Sequence, residues 1–170
     1  TFKKPAVWLS ILLFLIYTGS EVSLGTWAYS LLTEAREVTP AVAGFIAGSY
    51  WAMFTIGRIL AGFFTRKIGL HRLVRISLIG ALLGAILVWW NPSSMVSVIG
   101  VALIGFSIAP IFPALVSGTE GRVGKRFTAN TIGMQMSAAG FGSTILPGLM
   151  GILARRTSLE AVPIVLTCTY

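Results

Sequence analysis

The sequence predicts an all-α protein that crosses a membrane as a polytopic helical bundle, and two observations lead to this fold class. Of the 170 residues, 55% are hydrophobic and only 11% are charged, with a mean hydropathy of +0.86. Soluble domains average about 25% charged residues. Apolar runs of roughly 20 residues, the length of helix that crosses a bilayer, recur along the chain. The hydrophobicity excludes disorder, and the single cysteine, Cys168, excludes a disulfide scaffold.

The apolar runs predict five complete spans and the beginning of a sixth, together forming one transmembrane helical bundle over residues 1–170. Their approximate limits are 6–31, 40–64, 72–90, 95–117, 128–153 and 159–170. The second run opens at Pro40, a favourable first-turn residue. The sixth has only about twelve residues, too few to cross, so we expect a truncated span. The chain begins without Met, which predicts a fragment or a processed piece.

Lysine and arginine are distributed unequally between the two ends of this bundle. With a cytoplasmic N-terminus, three lie at the outer end, namely Arg36, Arg155 and Arg156. The nine at the inner end are Lys3, Lys4, Arg66, Lys67, Arg72, Arg75, Arg122, Lys125 and Arg126. Because cytoplasmic loops are enriched in these residues, we predict an integral protein of the cell (inner or plasma) membrane with its N-terminus inside. The same loops account for the net charge of +8, and no nucleic-acid partner is expected.

The inventory of reactive side chains argues against an enzyme. The chain has no Asp, and His71 is its only histidine, which excludes an aspartyl protease and a multi-histidine metal site. No nucleophile, base and orienting group can be assembled from what remains. We therefore predict no catalytic residues, no metal and no cofactor.

Glu21 is the residue that most strongly suggests a binding site. It is the only acid well inside a span, and ionisable groups in the membrane usually face a bundle interior or a water-filled cavity. Tyr17 lies on the same helical face, four residues earlier. A Tyr–Glu pair facing a cavity is suited to bind a proton and a polar solute. The alternative is a carboxyl that bonds to a neighbouring helix end.

Three further polar or aromatic positions are candidates. Trp51, near mid-membrane, is suited to stack on a ligand or simply to pack. Gln135 is suited to bind solute or to bridge helices. Arg58, about 9 Å from the inner end of the second span, is either a gate that pairs with an acid such as Glu120 or a side chain that snorkels to the interface.

Proline and glycine predict where helices bend and meet. Pro110 and Pro113 each remove a helical hydrogen bond, so the fourth span should bend there, either as a gate or as a static kink. The spacing of Gly44 with Gly48, and of Gly80 with Gly84, predicts close helix contacts. Further small residues, at Gly133, Ala138, Ala139, Gly140 and Gly142, predict close contacts of the fifth span.

Four stretches of the sequence then suggest a family. They are Tyr17-x-Gly19-x-Glu21-x3-Gly25-x-Trp27, Gly57-Arg58-Ile59-Leu60-Ala61-Gly62 with the basic segment 66–72, Gly105-x4-Pro110-x2-Pro113, and Ala139-Gly140-x-Gly142-x4-Pro147-x3-Gly151. The chain resembles the C-terminal half, helices seven to twelve, of a major facilitator superfamily transporter. The first stretch looks most like the fucose/galactose/glucose–proton symporter branch.

The resemblance implies alternating access, in which two six-helix bundles rock about a central solute site. The first and fourth spans would line the cavity, and the N-terminal six-helix half would be the partner. Gly62, Lys67 and Gly69 match the family's cytoplasmic loop signature, although Arg66 stands where its acid usually lies. We therefore expect a secondary active transporter of a small solute, proton-coupled and sugar-like. The alternatives are drug or metabolite efflux on the same fold, or a non-transporting membrane receptor or assembly subunit.

Overall fold

The computed structural model describes residues 5–170 and is helical almost throughout, with no strand in this range. Lys3 and Lys4 lie outside the described residues. The helices are α1 (Pro5–Ser30), α2 (Pro40–Ile68), α3 (Leu70–Trp90), α4 (Ser94–Ile108), α5 (Ile111–Ser117), α6 (Thr119–Val123), α7 (Thr128–Arg156) and α8 (Ala161–Thr169). A π-helical turn, Leu31–Ala35, extends α1, and a 3₁₀ turn, Lys125–Phe127, precedes α7. The predicted all-α membrane fold is confirmed.

Four segments of the described chain are long and apolar enough to cross a membrane. They are Pro5–Ala35, Leu70–Trp90, Ser94–Ser117 and Lys125–Arg156. The second predicted span lies within a 29-residue helix, α2, that is not among these four. Its apolar residues are diluted by glycines and by Arg58, Arg66 and Lys67. The count of five complete spans is therefore not confirmed.

The basic segment between the second and third predicted spans is not a loop. Helix α2 continues to Ile68 and α3 begins at Leu70, so Gly69 alone separates them. Its φ of 79° lies in the left-handed region that glycine adopts without steric cost. Because Arg and Lys are good helix formers, α2 continues through Arg66 and Lys67 after its apolar run has ended.

The fourth predicted span is interrupted where its prolines predicted a bend. Helix α4 ends at Ile108, and α5 begins at Ile111 after a break at Ala109 and Pro110. Pro113 lies in the first turn of α5, where its missing N–H is least costly. The break therefore arises at Pro110, in the middle of an otherwise continuous apolar segment.

Three helix pairs form most of the bundle: α1 packs on α7, α3 on α4, and α2 on α4. Small residues allow these approaches. A Cβ at Gly84 would lie 2.8 Å from the Gly100 carbonyl oxygen, and one at Gly19 would lie 2.8 Å from the Gly142 carbonyl oxygen. The Gly80–Gly84 pair thus forms the predicted contact with α4.

Other glycines face open space within this structure. A Cβ at Gly44, Gly48, Gly133 or Gly140 would meet nothing within 4 Å, so the contacts predicted there do not occur within the described residues. The four-residue spacing of two glycines identifies a surface where another helix could pack closely, but it does not show whether a helix packs there.

Two neighbouring glycines of α7 give a direct test of the α1–α7 contact. A Cβ at Gly142 would collide with the Leu15 backbone of α1, so Gly142→Ala should push the helices apart and destabilise the protein by about 1–3 kcal/mol. Gly140→Ala, two residues away and uncovered, is the control and should leave stability unchanged or raise it by up to about 1 kcal/mol, because alanine is the better helix former. Thermal unfolding in detergent micelles measures both. Equal melting temperatures for the two variants would contradict the packing described.

Among the described residues, helix packing places Arg66 of α2 and Arg122 of α6 at the same end of the bundle. The end of α2, the start of α3 and the end of α5 surround one cavity there, and Leu70 contacts Gly118. The outer Arg36 lies at the opposite end, beside Glu160 and the end of α3. Which end faces the cytoplasm stays a prediction.

Labelling of single cysteines tests that orientation. In the full-length protein in sealed inverted and right-side-out vesicles, cysteines at Lys67 and Lys125 should react only from the cytoplasmic side. Cysteines at Glu37 and Ser93 should react only from the outside, because loop charge favours this topology. The opposite pattern would reverse the assignment.

Candidate functional site

Glu21 and Tyr17 lie together on α1 at half its length. Tyr17 is 8% exposed, and its hydroxyl donates to the Ile108 carbonyl at 2.8 Å, immediately before the break in α4. The Glu21 carboxyl interacts electrostatically with Tyr17, but its Oε2 atom is buried and has no hydrogen-bond partner. Because buried polar atoms are normally paired, this oxygen makes Glu21 a candidate position for a bound proton, ion or solute.

A group of aromatic side chains from α2 lies against this part of α1. Tyr50 is fully buried, and its hydroxyl donates to the backbone carbonyl of Glu21 at 2.8 Å. Trp51 contacts Tyr50 and Phe54 with ring centroids 5.0 and 5.8 Å apart. Trp51 remains 44% exposed. Its ring packs over Gly25, one turn beyond Glu21, so the structure brings Trp51 to the Glu21 region.

Arg58 lies against aromatic rings and forms no ion pair with Glu120. Its guanidinium lies 4.5 Å from the Phe54 ring centroid and 5.6 Å from that of Phe112, a cation–π arrangement. It also interacts electrostatically with Glu21. Within residues 5–170 no ion pair joins it to Glu120, so the predicted Arg58–Glu120 pair is not present. The side chain instead extends from the inner end toward the Glu21 region.

Gln135 lies apart from this group. It is fully buried, and its Nε2 donates to Ser10 Oγ and, at 3.1 Å, to Thr119 Oγ1. The amide therefore bridges α1, α6 and α7. Ser10 is about 16 Å along α1 from Glu21. The structure does not bring Gln135 to the Glu21 region, so the amide bridges helices rather than joining Tyr17 and Glu21.

The remaining predicted residues lie toward the inner end. Gly62 and Pro113 line a cavity of about 260 Å³ between α2, α3 and α5, and Arg66 borders it. Lys67 lies over the Phe63 ring at 4.4 Å, and Gly69 is the single residue between α2 and α3. Pro110 forms the break beside the Tyr17–Ile108 bond. Pro110 therefore adjoins the Tyr17 bond, whereas Pro113 lies with Gly62 and Arg66 at the separate inner-end cavity.

The structure also reveals a polar network at the outer end that sequence reasoning missed. Arg36 and Glu160 form a two-pronged ion pair, with Nε–Oε1 and Nη2–Oε2 distances of 2.7 Å. Arg36 also donates to the Val88 carbonyl at 2.8 Å and to Ser97 Oγ at 3.2 Å. The network thus ties the end of α1 to α3, α4 and the start of α8. No local signal reveals a pair 124 residues apart in the chain.

Tyr50 and Thr18 are two further residues beside Glu21 that the sequence did not single out. Tyr50 was hidden among other aromatic residues of an apolar run. Thr18 belongs to a segment, 18–21, in which every residue is small or polar, so nothing distinguishes it before the hydrogen bonds are known. No cluster of three or more His, Cys, Asp or Glu residues suited to a metal ion occurs in the described part of the chain.

Comparison with known proteins gives a consistent assignment. A family model described as the Major Facilitator Superfamily matches residues 9–170. The yeast (Saccharomyces cerevisiae) "Bypass of stop codon protein 6" is 24% identical over 95% of this chain and 35% of its own length. The "Sodium-dependent glucose transporter 1A" of Mus musculus is 25% identical over 89% of this chain and 36% of its own length. The human "Sodium-dependent glucose transporter 1" is 29% identical over 85% and 28%, respectively. The chain therefore spans about a third of the length of these relatives.

Proposed function

Since this chain belongs to the Major Facilitator Superfamily, we propose that it forms part of a secondary active transporter of a small solute. The solute site would lie at mid-membrane between α1 and α2, at Glu21 and Tyr17 of α1 and Trp51 of α2. The observation that carries this proposal is the buried, unpartnered carboxyl oxygen of Glu21. An ionisable group is expensive in a membrane helix and marks a functional position there.

The arrangement supports coupling of solute movement to an ion. A carboxyl surrounded by protein tolerates the neutral, protonated form far better than a bare charge. Arg58 interacts electrostatically with it, which offsets the charge when the proton leaves. Alternating loss and gain of a proton at Glu21 would then couple the proton gradient to solute movement.

The surroundings of Glu21 favour a neutral, sugar-like solute. Trp51 offers a half-exposed aromatic surface for the apolar face of a sugar ring, and the Glu21 carboxyl is an acceptor for hydroxyl groups. Two of the relatives are named as glucose transporters, which agrees with this class. The N-terminal six-helix half of the same transporter would supply the opposing wall of the site.

Sodium is the second candidate for the coupling ion, because the printed names of those two relatives describe sodium-dependent transport. A carboxylate oxygen is a suitable ligand for a hard cation. The two ions make different predictions about which gradient drives uptake.

Uptake into liposomes that contain the full-length protein tests both proposals. A panel of neutral sugars, amino acids and cationic drugs is offered in separate arms under a pH gradient or a Na⁺ gradient. We expect accumulation of a neutral sugar under the pH gradient alone. Accumulation only under the Na⁺ gradient would replace the proton by sodium. Equilibration without accumulation in every arm would contradict ion coupling, and movement of none of the solutes would contradict the transporter assignment.

A further inference from the structure

The Thr18 hydroxyl differs from the other hydroxyl groups nearby on α1. Ser20 Oγ donates to the Ile16 carbonyl at 2.8 Å, and Ser23 Oγ donates to the Gly19 carbonyl at 2.6 Å. This bond to the preceding turn is how Ser and Thr usually satisfy their hydroxyls inside a helix. Thr18 Oγ1 is buried and has no partner. It is therefore available to a group that the described residues do not supply.

Thr18 lies on the same face of α1 as the proposed solute site. Thr18, Glu21 and Gly25 follow the i, i+3, i+7 spacing that aligns side chains along one side of a helix. Gly25 lies under the Trp51 ring. The unpartnered Thr18 Oγ1 and Glu21 Oε2 atoms thus lie on the face of α1 against which Trp51 of α2 packs.

The chemistry of this face selects one class of ligand. A hydroxyl donates and accepts one hydrogen bond each with ease, and a carboxyl accepts several. Arg58 balances the Glu21 charge from the inner side, so a further net charge on the ligand gains little. A neutral molecule with adjacent hydroxyl groups and an apolar ring face satisfies the two oxygens and the ring of Trp51 together.

We propose that Thr18 is a solute-binding residue, and that its hydroxyl and the Glu21 carboxyl bind neighbouring hydroxyl groups of one neutral sugar. This inference rests on the solute site proposed above. In the structure both atoms are covered by residues of this chain itself, so α1 must shift relative to its own neighbours, in addition to the motion of the two halves, before the sugar binds. Leaving an unpaired hydroxyl in the membrane costs free energy, which binding of the sugar would recover.

The test uses the purified full-length protein, with D-glucose and its five monodeoxy analogues as probes. Thr18→Val keeps the shape and removes the hydroxyl, and should weaken D-glucose binding about 3- to 10-fold, as expected for one lost neutral hydrogen bond. Thr18→Ser should stay within about 3-fold of the wild type. One deoxy analogue should bind the wild type less well than D-glucose, yet bind Thr18→Val as well as D-glucose does. Thr131→Val is the matched control, because the buried Thr131 hydroxyl donates to the Phe127 carbonyl at 2.8 Å.

Each result bears on the proposal. Unchanged affinity and unchanged discrimination among the analogues in Thr18→Val would overturn it, and so would an equal loss in Thr18→Ser, which would indicate packing. Wild-type protein that binds no neutral sugar overturns it as well. Ion-coupled uptake of any solute by the wild type, measured in parallel, shows whether the broader transporter proposal survives that outcome.

Discussion

Glu21→Gln should abolish ion-coupled accumulation of solute while leaving the protein folded and able to exchange solute. Glutamine has nearly the same shape and resembles the protonated carboxyl, but it can neither release a proton nor carry a charge. A gradient of one pH unit is worth about 1.4 kcal/mol per proton, so a coupled transporter reaches about tenfold accumulation. We expect the variant to stop at about equal concentrations on the two sides, because nothing then links solute to the gradient.

Accumulation and exchange of labelled solute in the same liposomes separate coupling from binding. Glu34→Gln is the matched control, because Glu34 is an exposed acid at the outer end of the same helical segment. It should accumulate solute as the wild type does. Tenfold accumulation by Glu21→Gln would remove Glu21 from the coupling step, and loss of exchange together with accumulation would make it a residue needed for solute binding instead.

The second large effect is expected at the outer-end network. The Arg36 side chain is 5% exposed and that of Glu160 is 40% exposed. Glu160→Ala leaves the buried guanidinium without its counter-charge, a situation that costs about 3–5 kcal/mol for fully buried pairs. Because water reaches Glu160 and screens the pair, we expect a smaller loss of about 2–3 kcal/mol.

The order of the variants is the sharper test. Arg36→Met should cost less than Glu160→Ala, because the carboxylate left behind can be hydrated. The double variant with Met at both positions should recover part of the loss, since no charge is then buried. Arg156→Met, an exposed charge in the last turn of α7, should change the unfolding free energy by less than about 0.5 kcal/mol. Chemical unfolding in mixed micelles measures all four. Equal effects of the two single variants would contradict the proposed burial of Arg36.

Four of the spans were predictable from sequence, because long apolar runs are the helices that suit a lipid environment. The fifth run, predicted at 128–153, corresponds to Thr128–Arg156. Helix ends were less accessible, because hydropathy marks where the chain leaves the membrane and not where the helix stops. The helices α2 and α3 therefore extend through Arg66, Lys67 and His71. No local sequence pattern predicts the short helix α6 or the π-helical turn that extends α1.

The candidate site was predictable in part for a similar reason. A lone carboxyl inside an apolar run is visible without a structure, and so is a tyrosine one turn earlier. The role of a hydroxyl or an amide depends on which partner it finds in three dimensions. The sequence singled out Gln135 and passed over Thr18, yet Gln135 bridges three helices and the Thr18 hydroxyl is the one without a partner.

Because Gly69 is the only residue between α2 and α3, the two helices are constrained to move together at this end. With one residue between them, the last residue of α2 and the first of α3 cannot separate by more than about 7 Å. Any displacement of α2 at this end is therefore shared with α3, whose outward side exposes Ile76, Ile79 and Leu83. If α2 moves when solute binds at the proposed site, α3 moves with it, and the apolar surface that contacts the surrounding lipid changes shape. We accordingly expect the rate of solute exchange to depend on the lateral pressure and thickness of the bilayer in which the protein is reconstituted.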